Sequence, residues 1–167
     1  MSMMSIRAAT PRDREAIRLV EEHAFRQQAE AGLVDALIAA GEDVVELVAV
    51  EEGAVVGHIL FSRLIVRNGG GEDFPAVALA PLAVEPLFHG TGIGGALIRE
   101  AHIRLKDAGE TLSVVLGDPS YYGRFGYALD RALQFDSDYQ GDALQAIAWG
   151  DAPTTGRLVY PKAFGSL

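Results

Sequence analysis

FHGTGIGGAL, residues 88–97, sets four glycines and an alanine behind a histidine and then runs into an apolar pattern of helical spacing. A backbone without Cβ atoms approaches a ligand closely and offers its N–H groups directly, and at a helix start those groups suit a phosphate. Such a loop serves several kinds of site, and its flanks decide among them. A P-loop needs a lysine after the closing glycines to meet the β- and γ-phosphates, and none follows Gly94-Gly95. The dinucleotide fingerprint G-x-G-x-x-G is spelled by Gly90, Gly92 and Gly95, and Asp118 stands where a ribose-binding acid could end the next strand. Its context does not fit. EPLFH separates Val84 from the first glycine, several strand-like runs precede the loop, and the chain beyond Asp118 is too short for the remaining βαβ units.

The rest of the chain narrows the chemistry. Its 167 residues, 49% hydrophobic, suffice for one domain, 1–167, with a buried core. With 14 Lys and Arg against 23 Asp and Glu, the net charge of -9 repels polyanions, so nucleic acid is not expected as a partner, whereas cationic small molecules are favoured. No run reaches the roughly 18 apolar residues of a membrane span. MSMMSIRAAT, 1–10, lacks the basic and apolar regions of a secretory leader, so no membrane partner and a cytoplasmic location are expected. The absence of cysteine removes disulfides, thiolate nucleophiles and Cys-ligated metals, and the four histidines show no metal-ligand spacing, so no metal is expected.

Local signals give an element order. Ile6–Ala8 read as a short strand, and Thr10, Pro11 and Asp13 as the N-cap, N1 proline and first-turn acid of a helix carrying Ile17, Val20 and Phe25. AGLVDALIAAG, 31–41, is a second helix closed by Gly41. VVELVAV and AVVGHILFSRLIV flank the turn Glu51-Glu52-Gly53 as a hairpin. AVALAPLAV, 76–84, is a strand in which Pro81 marks a bulge or an edge. The glycine loop opens a helix to about Ala108 with Ile93, Leu97, Ala101 and Leu105 on one face. TLSVVLGD is a buried strand, Asp118-Pro119 caps a short helix, and ALQAIAW and GRLVY supply two last strands. The order βααβββαβαββ gives an α/β (α+β) fold, a mixed sheet with helices on both faces.

Taken whole, LAVEPLFHGTGIGGALI, 82–98, resembles the acetyl-CoA-binding motif of the GNAT superfamily of N-acetyltransferases, a strand L-x-V-x-P followed by Q/R-x-x-G-x-G/A and a helix, matched here by His89, Gly92 and Gly94. VVLGDPSYYGRFGY, 114–127, is similar to the second half of such domains, particularly the YhbS-like group, in which a strand leads into Gly-Asp-Pro-x-Tyr-Tyr-x-Arg-Phe-Gly-aromatic. His89 departs from the usual Gln or Arg, at a position whose side chain mostly shapes the loop. The resemblance implies a single GNAT-like domain with a central, mixed, mostly antiparallel sheet of about seven strands. It also implies acetyl-CoA as co-substrate, a small-molecule or peptide amine as acceptor, direct transfer between them, and a fold that often forms a homodimer.

Under that resemblance the residues divide by the part of acetyl-CoA they serve. Backbone amides of Gly90, Thr91, Gly92, Ile93, Gly94 and Gly95, with His89 shaping the loop, take the pyrophosphate at the positive end of a helix. The main chain of Leu82, Ala83 and Val84, splayed by a bulge, pairs with the pantetheine amides, and one of its N–H groups can serve as an oxyanion donor. Arg124 approaches the phosphates; Arg99, His102 and Lys106 form a basic stripe on the polar face of the loop helix, read as solvated. The family position places Tyr122 as general acid toward the departing thiolate, with Tyr121 as packing and Phe125 and Tyr127 as core. The base for the acceptor ammonium stays open among Glu85, His58 and a water chain. Phe25 and His58 are the acceptor-site residues. A non-catalytic acyl-CoA-sensing module is the alternative function.

Overall fold

The computed structural model of the chain describes residues 4–166. Strand β1 (Met4–Ala8) leads to Thr10, which opens a 3-10 turn over Pro11–Asp13 continuous with helix α1 (Arg14–Phe25). The start is fixed from both sides. The Asp13 carboxylate accepts from the Thr10 amide (2.8 Å) and from both guanidinium nitrogens of Arg7 (2.7 and 2.9 Å), tying β1 to the helix. Helix α2 (Ala29–Ala39) closes as its sequence predicts: the Gly41 amide donates to Ile38 and that of Glu42 to Leu37, a Schellman ending.

Strands β2 (Asp43–Glu51) and β3 (Ala54–Arg67) meet across Glu52-Gly53, both in the left-handed region, so the connection is a two-residue hairpin. β4 (Asp73–Val84) follows antiparallel to β3. Between the pairs Phe61–Leu79 and Ile59–Leu82, β4 carries one residue more than β3, which sets the expected bulge at Ala80-Pro81. Helix α3 (Ile93–Asp107) and strand β5 (Leu112–Leu116) complete a crossover, then come the short helices α4 (Pro119–Tyr122) and α5 (Leu129–Ala132) and strands β6 (Phe135–Asp136), β7 (Leu144–Ala148) and β8 (Gly156–Val159).

The sheet runs β1-β2-β3-β4-β5-β7, with β8 beside the end of β3 and β6 beside β8. Among the described residues only β4–β5 and β6–β8 are parallel. The eight strands among the described residues agree with the expected seven or so; two-residue β6, like four-residue α5, is too short to carry a periodic signal. One core joins α1 and α2 to one face through Ile17, Val34 and Leu37; the other seats α3 through Leu97, Ile98 and Leu105. Each of these fully buried side chains contributes roughly 1.5–3 kcal/mol of hydrophobic stabilisation.

β4 and β5 pair only through Val77–Leu79 and Ser113–Val115, although β4 runs on to Val84. Its last residues therefore lack a strand partner on the β5 side. Among the described residues no helix is long and apolar enough to cross a membrane.

Candidate active site

A cleft of about 650 Å³ opens where β4 and β5 part. One wall is the unpaired end of β4, Leu82, Ala83 and Val84; another is the loop from His89 to Gly95. Tyr121, Arg124 and Phe125 face them from the segment after β5, and Ala24 and Phe25 close the side at the end of α1.

The loop's glycines have two physical reasons. Gly90 and Gly92 adopt φ of 79° and 87°, where a Cβ is strained. Gly94 and Gly95 are constrained by contact instead: a Cβ on Gly94 would stand 2.6 Å from the Tyr121 hydroxyl, and one on Gly95 3.2 Å from the Phe125 ring. Gly92 caps α3, so the amides from Gly92 to Gly95 have no partner within the helix and present its positive end to the cleft. His89 explains its own presence. Its Nε2–H donates to the Val84 carbonyl (2.8 Å), stapling the loop to the end of β4. Thr91, which the cleft lining does not include, donates its hydroxyl to the Phe88 carbonyl.

The opposite wall is aromatic and cationic. The Arg124 guanidinium lies 4.7 Å from the Tyr121 ring centroid and that of Arg99 5.0 Å from Phe125, and neither has a carboxylate partner among the described residues. Two guanidiniums so placed in one cleft make it locally positive on a protein of net charge -9. Tyr122 stands behind this wall. Its ring packs against Gly117, where a Cβ would come within 2.4 Å, and edge-on to Tyr127, so it lies just past the last residue of β5, where that strand leaves β4. Burial pushes its phenol up to about 12.

Under α1 lies a buried ionic chain. His58 is fully buried; its Nδ1 is 2.6 Å from Glu21 Oε2 and its Nε2 2.8 Å from Glu46 Oε2. Arg14 pairs with the other oxygen of Glu46. Burial opposes the charged ring, but the hydrogen bonds to Glu21 and Glu46 outweigh it and raise the His58 pKa. Burial also opposes ionisation of Glu46, yet His58 and Arg14 hold its carboxyl below the ordinary range, whereas burial wins at Glu21 and raises it. Both ring nitrogens of His58 are thus engaged, and it is not among the residues lining the cleft. Glu85 pairs with His23 Nδ1 at 2.8 Å, joining the end of β4 to α1.

The cleft therefore brings together Leu82, Ala83, Val84, His89, four loop glycines, Ile93, Arg124 and Phe25, while Tyr122 and His58 lie outside its lining. Sequence reasoning missed Arg99, whose stripe read as solvated, and assigned Phe125 to the core although it lines the cleft. His102 corrects that stripe. It is buried beside Trp149, with Nε2 3.1 Å from the Tyr127 hydroxyl, and burial with the nearby Lys106 lowers its pKa to about 4. Helical spacing alone could not separate it from Arg99, because the aromatic pocket that receives it is built from Phe61, Tyr127 and Trp149, all distant in sequence. No group of three or more His, Asp or Glu among the described residues is arranged to hold a metal.

Residues 5–129 match the family model of the acetyltransferase (GNAT) domain. The chain is 39% identical over 127 residues to the uncharacterized N-acetyltransferase YhbS of Escherichia coli K12, covering 75% of this chain and 74% of that protein. The crystal structure of Escherichia coli YhbS in complex with CoA aligns with a TM-score of 0.90 at 32% identity, over 99% of this chain and 93% of that one. A GNAT family acetyltransferase from Brucella melitensis in complex with acetyl-CoA aligns at 0.82 and 39% identity, over 97% and 98%.

Proposed function

The chain belongs to the GNAT acetyltransferase domain family and is an acetyl-CoA-dependent acyltransferase; from that premise we propose that it transfers the acetyl group directly to a primary amine of a small molecule or a peptide. The observation that carries this reading is the convergence, in one cleft, of an unpaired strand end with the amide-rich start of α3.

Acetyl-CoA supplies a thioester, an amide-rich arm and a pyrophosphate, and the cleft has a group for each. The amides of Gly92 to Gly95 take the pyrophosphate, with Arg124 and Arg99 adding charge from the facing wall. The main chain of Leu82 to Val84 pairs with the arm as an added strand, and one of its N–H groups polarises the thioester carbonyl, worth about 3 kcal/mol in comparable sites. His89 holds these two parts in register by joining the loop to Val84.

Tyr122 is the proton donor to the departing thiolate. Its raised pKa keeps the phenol protonated throughout the physiological range, the state a donor needs. Phe25, half-exposed at the end of α1, forms the apolar wall on the acceptor side. His58 serves the acceptor side from beneath, through the carboxylate it holds.

The reading is tested by measuring CoA thiol release from acetyl-CoA with a panel of polyamines, amino acids, aminoglycosides and peptides. Acceptor-dependent release with at least one amine is expected. Tight CoA binding with no release by any acceptor would replace transfer by sensing.

A further inference from the structure

The transfer as described leaves the proton of the acceptor ammonium without a destination, and the ionic chain under α1 offers one. Glu21 is 0% exposed; Oε2 is held by His58, whereas Oε1 is buried with no hydrogen-bond partner among the described residues. Ala24 and Phe25 follow Glu21 at i+3 and i+4, on the same side of α1, and both line the cleft. His58 stands in register opposite Ala83, another cleft residue. Glu21 thus sits directly behind a stretch of wall whose α1 and β4 contributions include two alanines.

We propose, resting on the amine acetyltransferase reading, that Glu21 is the general base that takes the acceptor's proton, and that His58 is a positioning residue that fixes its carboxylate. The groups facing Glu21 are His58 from β3, Glu46 from β2 and Glu30 from α2, with β4 supplying Ala83. Burial first, then the like charges of Glu30 and Glu46, raise its affinity for a proton, as a base working near neutral pH requires. In the step, Glu21 Oε1 first takes one proton from the acceptor ammonium, directly or across one water, and passes it to solvent. The neutral amine nitrogen then bonds to the thioester carbonyl carbon, the C–S bond breaks, and the departing thiolate takes a proton from Tyr122. The second proton, which the nitrogen sheds on becoming an amide, replaces the one given by Tyr122, so the two protons lost by the ammonium end on CoA and in solvent.

The test is the pH profile of Glu21→Gln. A glutamine keeps the hydrogen bond from His58 Nδ1 through its carbonyl oxygen, so the clasp survives while the base is removed. At pH 7, kcat/KM is expected to fall by at least about tenfold with acetyl-CoA affinity unchanged. The deficit should vanish as pH approaches the acceptor's own pKa, near 10, because the amine is then already neutral. Glu21→Asp should keep the wild-type shape of the profile at reduced kcat, which maintains the comparison if the glutamine variant folds poorly. A deficit equal at every pH, no deficit, or an aspartate variant that loses the wild-type profile would overturn the assignment. Wild-type protein without turnover for any amine would remove the acetyltransferase reading and this one with it; equal turnover by wild type and Glu21→Gln removes only this one.

Discussion

Tyr121 and Tyr122 are neighbours in the chain and perpendicular in space, with ring centroids 5.0 Å apart. Tyr121 puts its hydroxyl over Gly94, and Tyr122 lies against Gly117 at the end of β5. Their removal should divide cleanly. Tyr122→Phe is expected to lower kcat by about a hundredfold with acetyl-CoA affinity nearly intact, and Tyr121→Phe to leave kcat within a few fold. Single-turnover kinetics with an accepting amine check the split, and unchanged turnover in the Tyr122 variant would remove it from the mechanism. Gly94→Ala drives a methyl into the Tyr121 hydroxyl and should weaken acetyl-CoA binding on the order of tenfold. Adding Tyr121→Phe should restore much of the loss, measured by calorimetric titration. At this scale the sequence was most informative about backbone-borne roles: the positions of Gly90 and Gly92 follow from spelling alone. The pairing of His23 with Glu85, or of Glu21 with His58, was not legible, since the partners stand 62 and 37 residues apart and no local pattern links them.

Helix α1 is fastened to the sheet by charge as well as by Ile17 and Val20. The pH dependence of that clasp follows from the direction of each shift. His58 is raised above its ordinary 6.5, so the stability it brings is complete below pH 6.5 and is lost as pH rises through the higher folded value. Glu46 is lowered from 4.5, so its contribution is present above pH 4.5 and is lost as pH falls through the folded value. Glu21, raised, works against Glu46 on the acid side. Thermal melts should therefore decline on the alkaline side of pH 6.5. His58→Gln should flatten that decline while lowering stability between pH 4.5 and 6.5 by about 3–5 kcal/mol, because two carboxylates lose their buried partner. Elements were legible where periodicity was long, as in α3 with its apolar face at i, i+4, i+8 and i+12. They were illegible where it was short, as in α5 and β6, which are placed by β7 and β8 rather than by their own sequence.

Across the whole molecule, a net charge of -9 surrounds a cleft whose rim carries Arg99 and Arg124. A cationic acceptor is drawn in by the wide field, and the anionic co-substrate only by the local one. Raising the ionic strength from about 0.01 to 0.15 M shortens the screening length from roughly 30 to 8 Å. The kcat/KM of a polyamine acceptor should then fall, while that of a neutral-bodied monoamine changes little; steady-state rates across salt check this. Fold class and sheet composition were readable from element order, but the seam between β4 and β5 was not, because a parallel pairing leaves no turn to mark its register. That seam of three residue pairs divides the sheet into two leaves, β1 to β4 and β5 with β7. A ligand lying along Leu82 to Val84 adds backbone hydrogen bonds where the leaves are least joined. Occupancy should therefore slow amide hydrogen exchange in β5 and β7, strands distant from the pyrophosphate loop, and turn two loosely coupled exchange units into one.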